Sequence, residues 1–129
     1  MKWILVVDDE PHVTRLMRTH LEKQGFGVEV APNGEVALDK LAHRSFDAMV
    51  TDLTMPRMNG VELCEEVRKS SRNQDLFIFI VTSRAEHDLR EWAEGIERLE
   101  FMEKPVSLID LVRRLGNALG MADSGDGET

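Results

Sequence analysis

Apolar and polar positions fall in alternating blocks along the chain. Short apolar runs of strand length are separated by amphipathic stretches whose apolar residues recur every three or four positions. Trp3–Val7 predicts a first strand. Pro11–Lys23 predicts a helix with Val13, Leu16, Met17 and Leu21 on one face, Pro11 in its first turn and Gly25 past its end. Gly27–Ala31 predicts a second strand, and Asn33-Gly34 opens a helix carrying Val36, Ala37, Leu38 and Leu41. A third strand is expected over Phe46–Thr51, a loop over Met55–Gly60, a helix over Val61–Lys69 and a polar loop over Ser70–Asp75. Leu76–Val81 is apolar throughout, the pattern of a strand covered on both faces. Ala85–Gly95 predicts a helix, and Leu99–Glu103 a weaker fifth strand with charged Glu100 and Glu103. Ser107–Leu119 predicts a last helix with Leu108, Leu111, Val112, Leu115 and Leu119 in one stripe.

Strands alternating with helices predict an α/β fold: a doubly wound, five-stranded parallel sheet with right-handed crossovers and five helices on both faces. The 129 residues suit one domain with one core. That domain is expected over residues 1–119, followed by a small, polar, acidic flexible tail or linker start over 120–129. No internal repeat is visible.

The charge pattern sharpens this picture. Asp8 and Asp9 follow the first predicted strand, Asp52 the third, Thr82 the fourth and Lys104 the fifth. In an open parallel sheet the carboxyl ends of the strands face one crevice, where ligands bind. Three carboxylates, a hydroxyl and an ammonium are therefore expected to converge. Neighbouring carboxylates at ~4 Å repel by about 4 kcal/mol per pair at an effective dielectric near 20. Such a cluster calls for a cation or for a raised carboxyl pKa. Oxygen donors without His or Cys favour Mg²⁺ or Mn²⁺. Asp52 then reads as a nucleophile that forms an aspartyl phosphate. Lys104 supplies a point charge for phosphoryl oxygens, and Thr82 a short hydroxyl donor.

These residues sit in longer motifs: Val6-Val7-Asp8-Asp9-Glu10, Thr51-Asp52-Leu53-Thr54-Met55-Pro56-Arg57-Met58-Asn59-Gly60, Ile80-Val81-Thr82-Ser83 and Phe101-Met102-Glu103-Lys104-Pro105. Together they resemble the response-regulator receiver domain of two-component phosphorelay signalling, the CheY-like superfamily, over residues 2 to about 119. The resemblance implies a flavodoxin-like strand order 2-1-3-4-5. It also implies that Asp52 is the phosphoacceptor, that Asp9 binds the metal directly and Asp8 mainly through water, and that the Thr54 backbone carbonyl is a further ligand. By the same resemblance Lys104 pairs with the phosphoryl group, Thr82 swings toward it, and Phe101 is the switch aromatic. Thr and aromatic together would remodel the face made by the fourth helix, fifth strand and fifth helix. The implied phosphodonor is a histidine kinase or histidine phosphotransfer protein. It would dock on the first helix, at Val13 and Leu16, and on the Pro105-Val106 loop. The implied output is an unidentified protein, reached as a monomer or as a phosphorylation-dependent homodimer. Catalysis would be limited to self-phosphorylation and self-dephosphorylation.

The chain departs from the family where Gly-Ala is frequent before the fifth strand: Glu97-Arg98 stands there, with Gly95 two residues earlier. Arg84, two residues after Thr82, is a candidate to screen the phosphoryl group from water. Plainer roles stand beside these. Asp52 can cap or be solvated, Lys104 can be a surface charge, and Phe101 and Trp92 can be packing aromatics. His12, His20, His43 and His87 show no metal-ligand spacing and read as helix-surface residues.

Composition removes several function classes. The net charge of −8 argues against sequence-independent nucleic-acid binding, which needs a basic surface. Cys64 is the single cysteine, so no intramolecular disulfide forms, and it reads as a small buried residue of a reducing compartment. No apolar run approaches the ~20 residues of a membrane span. The start carries no signal-peptide pattern, so a cytoplasmic location without direct membrane contact is expected. No Walker-type phosphate loop appears. Two other classes remain open: a Mg²⁺-dependent phosphatase with an aspartyl-phosphate intermediate, and a pseudo-receiver that acts as a phosphate-independent interaction module. Turnover of a small phosphoester marks the first, and absent Mg²⁺ binding the second.

Overall fold

A computed structural model describes residues 1–83 and 87–121, without the side chains of His87, Asp88 and Arg90. Arg84, the helix start expected at Ala85, and tail residues 122–129 lie outside the described residues. Among the described residues the order is β1 (Trp3–Val7), α1 (Pro11–Lys23), β2 (Gly27–Ala31), α2 (Gly34–His43), β3 (Ala48–Asp52), α3 (Gly60–Lys69), β4 (Phe77–Thr82), α4 (His87–Ala93), β5 (Leu99–Glu103) and α5 (Leu108–Ala118). The strands form one sheet in the order β2-β1-β3-β4-β5, every neighbouring pair parallel.

The period-two geometry of a strand explains why apolar runs, not alternation, were the visible signal. Ile4 and Val6 of β1, with Phe79 and Val81 of β4, pack against Met17 and Leu21 of α1 and Leu111 and Leu115 of α5. Leu5 and Val7, with Ile78 and Ile80, face the other way, toward Ala37 and Leu41 of α2 and Leu63, Cys64 and Val67 of α3. Both sheet faces are covered, so consecutive residues are buried.

Local chemistry sets where the helices begin. Pro11 occupies the first turn of α1. The Asn33 side chain accepts from the Val36 amide at 2.8 Å, and that of Ser107 from the Asp110 amide at 3.1 Å. At α3 the cap is reciprocal: Asn59 Oδ1 accepts from the Glu62 amide at 2.8 Å, and Glu62 Oε1 from the Asn59 amide at 2.9 Å.

Two strands differ from the sequence expectation in a way that matters for the site. β3 and β4 run one residue further toward their carboxyl ends, so Asp52 and Thr82 are the last residues of the strands rather than the residues after them. The Leu53 amide donates to the Val81 carbonyl at 2.9 Å, which carries the pairing through Asp52. Phe46 and Leu76 are buried ahead of β3 and β4, so their apolarity reports core contact outside the sheet. The expected polar loop over 70–75 contains a single helical turn at Ser71–Asn73 whose last residue, Asn73, is buried.

Candidate phosphoryl-transfer and metal site

The register places the chemistry. Val7 of β1 is level with Thr51 of β3, Asp52 with Val81 of β4, and Thr82 with Glu103 of β5. Asp8, Asp52, Thr82 and Lys104 therefore share one edge of the sheet, on four consecutive strands or the residue just past them. Neighbouring strands are about 4.8 Å apart, so the backbones of β3 and β5 are separated by roughly 10 Å. Lys104 has the reach to span that gap. Its Nζ lies 3.2 Å from Asp52 Oδ2, while its own amide donates to the Thr82 carbonyl at 2.8 Å. The Lys104–Pro105 peptide is cis.

Asp8, Asp9 and Asp52 each offer a carboxylate oxygen within 4.8 Å of the other two. Asp8 and Asp52 are buried, at 6% and 7% exposure, and Asp9 is exposed. Burial pushes the Asp8 carboxyl above its ordinary range. The Glu10 amide, which donates to Asp8 Oδ1 at 2.9 Å, and the Lys104 charge oppose this, while the Asp52 and Asp9 charges add to it. For Lys104, partial burial works downward, but the hydrogen bond and charge of Asp52, with Asp8 and Glu10, hold its ammonium pKa above 10.5. With all groups ionised, three carboxylates against one ammonium leave two negative charges in a partly buried crevice. The donor set is all oxygen, and a hard divalent cation fits it: the cluster can bind a metal, and the charge left by Lys104 is what such an ion would offset.

The other anticipated residues stand around this cluster. Thr82 is buried at the end of β4, beside the strand of Asp52. Thr54 is exposed, and its amide approaches Asp52 Oδ1 at 3.4 Å, a long contact. Phe101 is half-buried in β5, level with Ile80, and packs on the core between the sheet and α2–α3. Trp92 of α4 is half-buried against the same core, and its indole N–H donates to Glu65 Oε2 at 3.2 Å. Exposed His12 lines a groove beside Asp8 and Lys104.

Two contributors were not evident from the sequence. Glu10 positions Asp8 through its backbone amide. Gly60 lies so close to the end of β3 that an added Cβ would stand 2.7 Å from the Asp52 carbonyl oxygen and 3.0 Å from Leu53 Cα. The Asn59-Gly60 pair marks a turn in the sequence, but the close backbone approach appears only once β3 and α3 are folded together.

The sequence profile described as the response regulator receiver domain matches residues 4–116. Response regulator MprA of Mycolicibacterium vanbaalenii is 36% identical over 126 residues, spanning 96% of this chain and 53% of that protein. The chain thus spans about half the length of the curated relatives it matches. Among solved structures, chemotaxis protein CheY4 of Vibrio cholerae superposes with a TM-score of 0.86 at 27% identity, covering 92% of this chain and 99% of that one. Response regulator protein TrrA of Thermotoga maritima, solved in complex with Mg(2+)-BeF, superposes at 0.78 with 33% identity, covering 92% and 100%.

Proposed function

The chain belongs to the response regulator receiver domain family, and from that premise we propose that it is a phosphorylation-dependent switch whose phosphoacceptor is Asp52. The observation that carries this reading is the Lys104–Asp52 contact inside a three-carboxylate cluster. An Asp52 carboxylate oxygen attacks the donor phosphorus. The bond from phosphorus to the donor's imidazole nitrogen breaks, and the donor leaves with that electron pair. Lys104 balances charge on the transferred oxygens, and Thr82 turns its hydroxyl toward them. Asp8, Asp9, Asp52 and the Thr54 carbonyl would hold Mg²⁺ or Mn²⁺, whose positive charge would lower the repulsion between acceptor and donor.

The phosphodonor is a histidine kinase or a histidine phosphotransfer protein of the cytoplasm. A groove of about 560 Å³ leads from Asp8 and Lys104 past Leu16 to Val106. Leu16 is 61% exposed, which suits an apolar docking contact on α1. Phosphorylation shifts a two-state equilibrium at the α4–β5–α5 face, with Thr82 and Phe101 moving together, to control an output protein as a monomer or as a phosphorylation-dependent homodimer. Moving such an equilibrium from 1:99 to 99:1 takes about 5.5 kcal/mol, within the range of one partly buried dianion with three partners. Residues 1–119 form the switch, and 120–129 the tail or linker start. The domain turns over no separate substrate.

The reading is tested by treating the protein with acetyl phosphate and Mg²⁺, reducing the acyl phosphate with borohydride, and mapping the peptides. Homoserine at position 52 is expected. Homoserine at position 8 or 9 instead, or at none of the three while a phosphoryl adduct is present, contradicts it.

A further inference from the structure

The α4–β5 connection is where this chain departs from its family's frequent Gly-Ala, and it is also where α3 takes hold of it. Arg68, near the end of α3, donates to three backbone carbonyls: Asn73 at 3.0 Å, Glu97 at 3.0 Å and Arg98 at 3.2 Å. The Arg98 carbonyl also accepts the Ile78 amide at 2.8 Å, the bond that opens the β4–β5 pairing. Arg98 itself sits at φ +60°, a left-handed conformation unusual for a residue with a side chain. Its guanidinium lies 3.7 Å from the Asp75 carboxylate, a second tie between this turn and the segment after α3.

One helical turn earlier, Glu65 accepts the indole N–H of Trp92 from α4 at 3.2 Å. Glu65 and Arg68 are three residues apart and so share one face of α3. Between the two contacts lies a cleft of about 270 Å³ floored by Cys64 and flanked by Ile96. There the Trp92 ring packs on the apolar face of α3, and the Glu65 contact adds a polar tie beside the cleft. A contact that holds one element against another biases whichever arrangement it fits.

We propose that Glu65 and Arg68 form a two-point brace that favours the resting arrangement of α4 and β5, and that activation must loosen it. The brace is a conformational device of the chain's own residues, remote from the carboxylate cluster. Glu65 and Arg68 act on the switch through α4 and the Glu97–Arg98 turn, as positioning residues. The inference rests on the receiver reading above, since it needs an α4–β5 face that responds to the phosphoryl group.

Trp92 provides the test. The sequence holds two tryptophans, so Trp3→Phe leaves Trp92 as the single indole reporter. In that background, fluorescence is followed as beryllofluoride, a phosphoryl analogue, is added with Mg²⁺. Arg68→Ala and Glu65→Ala should each lower the beryllofluoride concentration at half-response by about three- to tenfold, because less free energy is spent leaving the resting state. Arg68→Lys, which keeps the charge but not the three-carbonyl reach, should fall between Arg68→Ala and the parent. Mg²⁺ affinity measured alone should stay within about twofold of the parent, a readout that general damage to the fold would move. Glu65→Ala alters an exposed helical position and keeps the question answerable if Arg68→Ala does not fold. Half-response unchanged or raised in the variants, with a responsive parent, overturns the brace and leaves the receiver reading standing. An unresponsive parent overturns both.

Discussion

Lys104 Nζ reaches across the end of β4 to lie 3.2 Å from Asp52 Oδ2, joining the carboxyl ends of β5 and β3 through one ion pair. Lys104 is more than a third exposed on its side chain, so solvent screens the pair and its contribution to stability is small. Its importance lies in the charge of the crevice. Lys104→Met should slow phosphorylation of Asp52 by acetyl phosphate by tenfold or more, about 1.4 kcal/mol of lost stabilisation per factor of ten. Thermal stability should change little. Time courses of the phosphorylated mass, with Tm measured beside them, check both parts. The folded-state pKa of Lys104 is raised, so the pair's contribution is complete below 10.5 and is lost only as pH rises through the raised value.

Asp8 carries the opposite sign. Its carboxyl is raised above 3.8, chiefly by burial, so the folded protein holds that proton more tightly than the unfolded chain. Stability then falls as pH rises from 3.8 through the raised folded-state value. Asp8→Asn should stabilise the metal-free protein at neutral pH by about 1 kcal/mol, and the gain should shrink as pH falls toward 3.8. Added Mg²⁺ should stabilise the parent more than the variant. Urea unfolding at several pH values, with and without Mg²⁺, gives the answer. A variant less stable than the parent at neutral pH without metal contradicts the account.

Gly60 has no room to grow. A Cβ there meets backbone on the far side, at 2.7 Å from the Asp52 carbonyl oxygen, and backbone cannot rotate away as a side-chain tip can. Gly60→Ala should cost about 1–3 kcal/mol in denaturant unfolding and weaken Mg²⁺ binding, because β3 and the loop after it must shift. Unchanged stability together with unchanged Mg²⁺ affinity counts against a tightly fixed β3–α3 loop.

Cys64 should be silent. Burial pushes its thiol up to about 12, well above the range in which a thiolate forms near neutrality. A disulfide reagent at neutral to mildly alkaline pH should label it only as fast as the protein unfolds, and fully in denaturant. Rapid labelling of the native protein would mean that α3 opens far more readily than its packing implies.

Much of this architecture is legible in the sequence because the residues at its boundaries act locally. Pro11 and Gly25 bracket α1, and β1, β2 and β5 fall where their apolar runs fall. The ends of β3 and β4 were less legible. Strands buried on both faces lack alternation, and Phe46 and Leu76 extend the apolar run into the preceding segments while Asp52 and Thr82 hide the last ladder residue behind a polar side chain. The carboxylate cluster and its lysine could be anticipated because parallel strands deliver their carboxyl ends to one edge, so Asp8, Asp9, Asp52 and Lys104 needed only correct strand assignments. Gly60 against Asp52, and Arg68 on the Glu97 and Arg98 carbonyls, are contacts between segments eight and about thirty residues apart, set by packing rather than by any local pattern.

The central claim, that Asp52 accepts a phosphoryl group with the help of a divalent cation, is tested most directly by intact mass after incubation with acetyl phosphate. The parent and Asp52→Asn are each measured with and without Mg²⁺. The account predicts one added phosphoryl group on the parent, dependent on Mg²⁺ and absent from the variant. An adduct that persists in Asp52→Asn or forms equally well without a divalent cation contradicts it, as does a folded parent that neither gains mass nor binds Mg²⁺.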